Sequence, residues 1–402
     1  MSTELLIYTE NYERGGGNKF LLNVLKILSG SFSEITVATN CNGIFYEEQK
    51  NLPNKVNFVE LNLFSSQGIS FKTTKWASGN IQVRRLILGL VRVFTPLILL
   101  IQAIQMTKFF LQVRPKRVIV FNGGYPGALS CLVVTLISRL FTREVSISIV
   151  SMPTPYRGMG KFFARFVDKL VWKACTNVIS NCKAIENSLE QSRGLPKLQT
   201  NKFIYTGLED IPIFYEKYSS KKPSEDYLVL GYIGRIVAGK GIWLLVEAFI
   251  KLHEIYKNLK LEIYGEGEDL DKLIYKVSEL NLDDWILVKG HYFGEISEVL
   301  NGIDIFVSPS YWEGLPYTII EALRSGVVVV ATEVGGTSEA ITNGVNGILV
   351  PIGSSQSLFC AIESLINNSQ LIEKLSFGAR DTYLKKFSYK LFEEEIRDIF
   401  LC

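Results

Sequence analysis

The sequence predicts an α/β protein built from two doubly wound parallel sheets, one in each half of the chain. Short apolar, β-branched runs alternate with helical segments, which is typical of a parallel sheet covered on both faces. This alternation restarts at Tyr227, after a stretch rich in proline, serine and lysine at residues 206–226. A length of 402 residues also fits two domains of about 200 residues better than one.

In the first half, short apolar runs predict buried strands and the longer segments between them predict helices. The expected strands are residues 5–8, 35–38, 56–60, 118–121, 145–149 and 177–180. The expected helices are residues 18–28, 82–112, 128–140 and 162–175.

The second half repeats the pattern. Its expected strands are residues 228–233, 260–264, 285–289, 303–307, 327–331 and 347–350. Its expected helices are residues 241–256, 269–279, 295–301, 317–324, 355–367 and 369–385, followed by an amphipathic, acidic segment at 389–400. We therefore expect domains at 1–207 and 208–386, with a separate C-terminal segment at 387–402.

Composition excludes several classes of protein. The first residues enter a strand directly, without the basic and apolar regions of a secretory signal. The six cysteines are scattered and form no C-x-x-C pair, so we expect reduced cytosolic thiols rather than a disulfide framework or a zinc site. No interleaving of aromatic and basic residues indicates a nucleic-acid module.

The net charge of +3 hides a strong asymmetry. Residues 61–167 contain fourteen Lys and Arg but a single acid, Glu144, which favours an anionic lipid or polyanionic partner. Within this region, residues 86–107 are nearly all apolar. They could span a bilayer, form a helix with one face exposed to lipid, or form an ordinary buried helix. We favour the second, because four residues interrupt the run: Arg92, Pro96, Gln102 and Gln105.

Two glutamates eight positions apart form the most informative motif. Glu313 lies in a tight loop after an apolar strand, and Glu321 lies in the helix that this loop opens. Leu315-Pro316 fits a helix start, and a helix N-terminus suits a phosphate or a polar sugar. The two carboxylates could therefore accept hydrogen bonds from two sets of hydroxyls on one ligand. The alternative is a first-turn acid and an unrelated surface acid.

A glycine-rich turn follows the first strand of each half. Gly15-Gly16-Gly17 opens the first helix, where glycine lets the backbone approach a ligand closely. Residues 234–241 read GRIVAGKG, in which Arg235 offers a planar fork and Lys240 a point charge for a leaving phosphate. The segment lacks the spacing of a P-loop.

Together these motifs resemble the E-x7-E signature of family 4 retaining glycosyltransferases with the GT-B fold, of the bacterial polysaccharide-biosynthesis type. The resemblance covers the second half almost completely and the first half in outline. It implies two facing Rossmann-like domains with a cleft between them, and a last segment, 387–402, that crosses back to the first domain. It also implies catalytic roles for Glu313, Arg235 and Lys240. The donor would contact Gly16, Gly17, Gly234, Gly265, Gly267, Gly290, His291, Gly314, Leu315 and Glu321.

The chain departs from the family pattern in places. Many members carry a histidine after a late strand of the first domain, but here residues 149–154 contain none, and Ser151 or the backbone would take its place. The two histidines, His253 and His291, both lie in the second half; His253 fits a helix surface or the core. Glu339 either completes the family signature or only caps or stabilises a helix. Asp269-x-Asp271 is interpreted as a helix N-terminal feature rather than a metal site.

The implied function is transfer of a sugar from a UDP- or GDP-linked donor to a hydroxyl of a lipid-linked saccharide or polysaccharide, with retention of configuration. Such an enzyme would contribute to a cell-surface polysaccharide such as capsule or lipopolysaccharide. It would need no metal or cofactor and would bind no nucleic acid. We expect it in the cytoplasm, peripherally bound to the anionic inner face of the cell membrane. Two alternatives are a nucleotide-sugar epimerase of the same fold and a non-catalytic nucleotide-sugar-binding scaffold.

Overall fold

The computed structural model describes residues 3–12, 15–40, 45, 52–76, 81–156, 160–197, 202–211 and 227–401. The chain divides into two compact units, the first formed by Met1–Ile204 with Glu394–Cys402 and the second by Tyr205–Glu393. The first division falls three residues before the predicted boundary after residue 207. Most of the predicted linker, residues 212–226, lies outside the described residues, as do Arg157, Cys41 and Cys402.

The first unit contains a seven-stranded parallel sheet. Its strands are β1 Leu5–Thr9, β2 Ile35–Thr39, β3 Val56–Glu60, β4 Arg117–Asn122, β5 Glu144–Ile149, β6 Asn177–Ser180 and β7 Lys202–Phe203. Their order across the sheet is β3-β2-β1-β4-β5-β6-β7. Its helices are α1 Gly16–Leu28, α2 Ser66–Trp76, α3 Ile81–Val113, α4 Leu129–Phe141, α5 Lys161–Ala174 and α6 Lys183–Arg193.

The second unit contains a six-stranded parallel sheet. Its strands are β8 Leu228–Ile233, β9 Leu259–Tyr264, β10 Ile286–Gly290, β11 Ile305–Ser308, β12 Val328–Thr332 and β13 Ile348–Val350, ordered β10-β9-β8-β11-β12-β13. Its helices are α7 Ile242–Ile255, α8 Leu270–Glu279, α9 Ile296–Asn301, α10 Tyr317–Arg324, α11 Thr337–Ala340, α12 Ser355–Ile366 and α13 Ser369–Thr382. Helix α14, Tyr389–Phe400, continues from this unit into the last segment of the first.

Both sheets confirm the predicted fold class, two parallel-sheet Rossmann-like α/β domains. Strands such as β1 and β12 are buried at every position, because a parallel sheet covered by helices leaves neither face to solvent. The sequence missed α2, α6, α11 and the two-residue strand β7. Helix α6 has the sequence KAIENSLEQSR, and its few apolar residues give only a weak helical pattern.

Helix α3 is the longest helix, and the segment Gln82–Val113 is long and apolar enough to cross a membrane by length and composition alone. Only 11% of its most apolar stretch is buried, so it is not an ordinary core helix. Its buried positions are Ile98, Gln102, Met106 and Phe110, which recur every four residues in the C-terminal half. That spacing places them on one face of the helix. Helix α3 packs against both α2 and α4.

Candidate active site

The second sheet reverses its strand order between β8 and β11, which are neighbours. In open α/β sheets, ligands bind outside the carboxyl ends of the strands at such a switch point. The segments that leave β8 and β11 contain the predicted basic residues and Glu313. The topology of this unit therefore brings the two predicted motifs to one place.

Lys240 and Glu313 form an ion pair across these two segments. The Lys240 Nζ lies 2.5 Å from the Glu313 Oε1, and the Ser310 hydroxyl donates to the same oxygen at 2.8 Å. The side chains of Lys240 and Glu313 remain 22% and 14% exposed. The pair is thus oriented from two sides, yet solvent still reaches both charged groups.

Backbone contacts hold the two segments together. The amide of Tyr311 donates to the carbonyl of Gly239 at 3.1 Å. Gly241 has a φ of +70°, and a Cβ there would lie 1.9 Å from the carbonyl oxygen of Pro309. Only glycine fits this approach without displacing the backbone. Lys240 therefore stands directly before a position where the two segments touch.

A third segment, after β12, closes against Glu313. The amide of Gly336 donates to the carbonyl of Gly314 at 2.7 Å. Gly335 has a φ of +53°, and a Cβ there would lie 1.9 Å from the carbonyl oxygen of Glu313. The tight loop predicted around Glu313 is thus fixed by the two glycines that follow β12.

The predicted glycines of the neighbouring strands also meet at this edge. Gly234 donates its amide to Tyr264 at 3.0 Å, and Gly265 donates to Gly290 at 2.8 Å. A Cβ on Gly265 would lie 1.8 Å from the Gly234 carbonyl oxygen, and one on Gly267 would meet the backbone of Ile236. The structure brings these glycines together; their donor contacts stay a prediction.

Arg235 is exposed beside this edge, and its carbonyl accepts a hydrogen bond of 2.6 Å from the Tyr232 hydroxyl. Burial raises the pKa of Tyr232 well above its ordinary value, and the Glu313 charge raises it further. Tyr232 therefore stays a neutral donor. No sequence motif indicated Tyr232 or Ser310, because each contributes only through a hydrogen bond, to the Arg235 carbonyl and to Glu313 respectively.

Glu321 lies in the second turn of α10 and is only 4% exposed, whereas Glu313 precedes the helix. Leu315 is also buried. Pro316 occupies the N-cap position before the helix rather than its first turn, and its own side chain makes no capping hydrogen bond.

His291 follows Gly290 directly, whereas His253 and Glu339 lie away from this edge. His291 is exposed and packs edge-on against Phe293, with ring centroids 4.7 Å apart. His253 is a core residue stacked on Phe249. Glu339 accepts a hydrogen bond of 2.9 Å from the Tyr205 hydroxyl, so it braces the chain where the second unit begins.

Asp269 occupies the N-cap position of α8 and pairs with Lys272 at 3.1 Å. Asp271 lies in the first turn of the same helix, where an acid interacts favourably with the helix dipole. Within the described ranges, no group of three or more His, Cys, Asp or Glu is placed to hold a metal ion.

In the first unit, the predicted Gly16 and Gly17 open α1, and Gly15 precedes the helix without a side-chain cap among the described residues. The segment before them carries a buried carboxylate that sequence reasoning missed. Glu10 accepts hydrogen bonds from the hydroxyls of Tyr12, at 2.7 Å, and of Ser65 and Ser130.

The segment where a histidine was expected is held by a second missed network. Arg193 donates to the Thr154 carbonyl at 2.6 Å and pairs with Asp168 at 2.9 Å. Tyr125 and Tyr156 both donate to Asp168. Burial, followed by the hydrogen bond to Asp168, raises the pKa of Tyr156 to about 12. Ser151 lies in this braced segment, half-buried.

Comparison with known proteins agrees with this architecture. Residues 215–382 match the model of a family described as "Glycosyl transferases group 1". The matched range covers the segments that carry Arg235, Lys240, Glu313 and Glu321.

The chain is 27% identical over 307 residues to the capsular polysaccharide biosynthesis glycosyltransferase CapM of Staphylococcus aureus, which covers 73% of this chain and 79% of CapM. It is 30% identical over 176 residues to the lipopolysaccharide core biosynthesis glycosyltransferase LpsE of Rhizobium meliloti, covering 44% and 49% of the two chains. The structure of Anabaena HepE in complex with UDP superposes with a TM-score of 0.72, at 18% identity and 98% coverage of both chains. The fold is therefore GT-B, and the matched segment and the named relatives together support a glycosyltransferase.

Proposed function

We propose that this protein is a retaining glycosyltransferase of family 4. Its donor would be a sugar linked to a nucleoside diphosphate, and its acceptor a hydroxyl of a lipid-linked saccharide or polysaccharide. The observation that carries the proposal is the Lys240–Glu313 pair, held at the switch point of the second sheet and still open to solvent. The related capsule and lipopolysaccharide enzymes support a role in cell-surface polysaccharide synthesis.

In the proposed reaction, the bond between the sugar C1 and the diphosphate oxygen breaks while the acceptor oxygen bonds to C1 on the same face. The acceptor proton passes to the departing phosphate oxygen. Arg235 and Lys240 would neutralise the charge that develops on the diphosphate, without a metal ion. Glu313, oriented by Lys240 and Ser310, would accept hydrogen bonds from the sugar hydroxyls. Catalysis would then consist mainly of positioning and electrostatic stabilisation.

For the nucleotide, we propose that Glu321 binds the ribose hydroxyls and that Gly234, Gly265 and Gly290 line the base and phosphates. The HepE structures contain UDP or UDP-glucose, which favours uridine over guanosine for this chain. We place the enzyme in the cytoplasm at the inner face of the membrane, where a lipid-linked acceptor would lie.

Thermal unfolding with UDP, GDP or ADP, in the absence of metal, tests the donor site. Ligand that binds the native state at a hundredfold excess over Kd adds about 2.7 kcal/mol of stability, so the matching nucleotide raises the Tm. Arg235→Gln removes one exposed cation and should reduce the shift. If none of the three nucleotides raises the Tm, the proposed donor site is wrong. Mass spectrometry then detects transfer as an increase in acceptor mass. Epimerisation would need no acceptor and would leave the mass of the nucleotide sugar unchanged.

A further inference from the structure

Three neighbouring helices cover one face of the first sheet and expose many apolar side chains. Helix α3 packs against α4, and α4 packs against α5. The connections β3–β4, β4–β5 and β5–β6 all run in the same direction across the sheet. Because such crossovers are right-handed, all three helices lie on the same face. The apolar side chains of α3 and α5 therefore belong to one side of this unit.

Helix α5 has one buried face and one face that exposes apolar side chains to solvent. Phe162, Phe163 and Phe166 are 84%, 66% and 59% exposed. The buried residues of this helix, such as Val171 and Trp172, lie on its opposite face. Exposed basic residues flank the phenylalanines: Lys161, Arg165, Lys169 and Lys173. Its only acid, Asp168, is buried against Arg193, so the exposed part of α5 carries positive charge alone.

Helix α3 adds a second apolar element. None of the described side chains of residues 82–97 is buried, whereas the C-terminal half is anchored through Ile98 and the stripe that follows it. The unanchored part is about 24 Å long at 1.5 Å per residue. A bilayer core is about 30 Å thick. This part is therefore too short to span it unless the anchored half of α3 leaves its packing site in the unit. Lying within the membrane interface fits both observations.

We propose that α5 and residues 82–97 of α3 form a lipid-docking surface, with Phe162, Phe163 and Phe166 inserted among the acyl chains of an anionic bilayer. Basic residues with aromatic side chains on an amphipathic helix are typical of interfacial binding. The near absence of acids from residues 61–167 complements anionic headgroups. The same charge disfavours a second copy as the occupant, because a symmetric dimer would bring two basic faces together.

Vesicle flotation of the full-length protein tests this surface without relying on transferase activity. The wild type should float with vesicles that contain phosphatidylglycerol. The combined substitution Phe162→Ser, Phe163→Ser and Phe166→Ser should lower the partition coefficient at least tenfold, since it removes the three apolar side chains that would be buried among the acyl chains. The control is Phe293→Ser, because Phe293 is 85% exposed but lies in the second unit. It should float like the wild type.

The charge is tested separately. Lys161→Gln, Arg165→Gln and Lys169→Gln together should lower binding to anionic vesicles roughly a hundredfold, and added salt should weaken wild-type binding. The depth is tested with Phe163→Trp, whose fluorescence should be quenched by lipids brominated on the acyl chains.

Several results would overturn the proposal. These are equal flotation of the triple serine variant and the wild type, an unquenched tryptophan, or a wild type that does not float. Sedimentation that shows a dimer abolished by the triple serine variant, without flotation, would assign the surface to a second copy. Because these phenylalanines are exposed, the variants should keep the wild-type Tm and its nucleotide-dependent shift. Failure of docking is thus distinguishable from failure of the donor site.

Discussion

The two units are built on the same kind of parallel sheet, but the surroundings of their acidic side chains differ. In the second unit, Glu313 pairs with Lys240 beside the switch point, and both remain partly exposed. In the first unit, Glu10 and Asp168 are buried and wrapped by hydroxyl donors. Arg193 adds a charged partner to Asp168 at a side-chain exposure of only 4%.

This difference separates two uses of a carboxylate. A buried carboxylate with every partner in place fixes the loops that supply those partners, and it has little capacity left for a ligand. A carboxylate oriented by an ion pair but open to solvent can exchange a water for a substrate hydroxyl. The same topology therefore yields a structural network in one unit and a candidate site in the other, as expected if function belongs to sites rather than to folds.

The largest expected effect is on stability and comes from the buried network. Asp168→Asn leaves the Arg193 guanidinium buried without a counter-charge, and it should lower the free energy of unfolding by about 3–5 kcal/mol. Denaturant unfolding measures this change. Asp381→Asn is the matched control, since Asp381 forms an exposed pair with Lys385 and should change stability by less than about 1 kcal/mol. Equal effects of the two substitutions would remove the contrast between buried and exposed carboxylates.

The next effect is on turnover. Lys240→Met should lower kcat/KM by about 10²–10³, because one preorganised charge opposite the leaving group contributes on that order. The Tm should change little, since the pair is partly exposed. Lys251→Met is the control, because Lys251 makes a surface pair with Glu247 on α7. A folded Lys240→Met enzyme with full activity would show that the phosphate site has been assigned wrongly.

Two glycines of one segment sharpen the comparison further. Gly241→Ala places a Cβ 1.9 Å from the Pro309 carbonyl oxygen at a φ of +70°, and should reduce stability by about 1–3 kcal/mol. Activity should fall as well, because Lys240 and Glu313 are held by the segments that this contact joins. A Cβ added at Gly239 would meet open space, so Gly239→Ala should hardly change stability or activity. Two silent alanines would mean that the pair does not depend on this close approach.

How far the sequence predicts these features depends on their range along the chain. Buried strands such as β1 and β12 are local apolar runs, so both sheets were predicted. Lys240 and Glu313 were each singled out, but their contact spans 73 positions and needs the fold. No sequence motif indicates the Asp168–Arg193 pair. The exposure of Phe162 was equally hidden, because an apolar residue on a helix is ordinarily assigned to the core.

The smallest effect concerns pH and contrasts the two histidines. His253 is buried, with its ring 4.6 Å from that of Trp285, whereas His291 is exposed. Burial lowers the pKa of His253, and the charge of Lys257 lowers it further. The unfolded chain therefore takes up a proton first, near pH 6.5, and stability falls as the pH drops below that value.

His253→Phe keeps an aromatic ring at this position and removes the titration, so it should flatten the loss of stability between pH 6.5 and the lower folded-state pKa. For one group, the slope is at most about 1.4 kcal/mol per pH unit. Denaturant unfolding at a series of pH values measures it, with His291→Phe as the control that should keep the wild-type slope. If His291→Phe flattened the curve instead, the exposed histidine would carry the acid sensitivity, and burial would not be its cause.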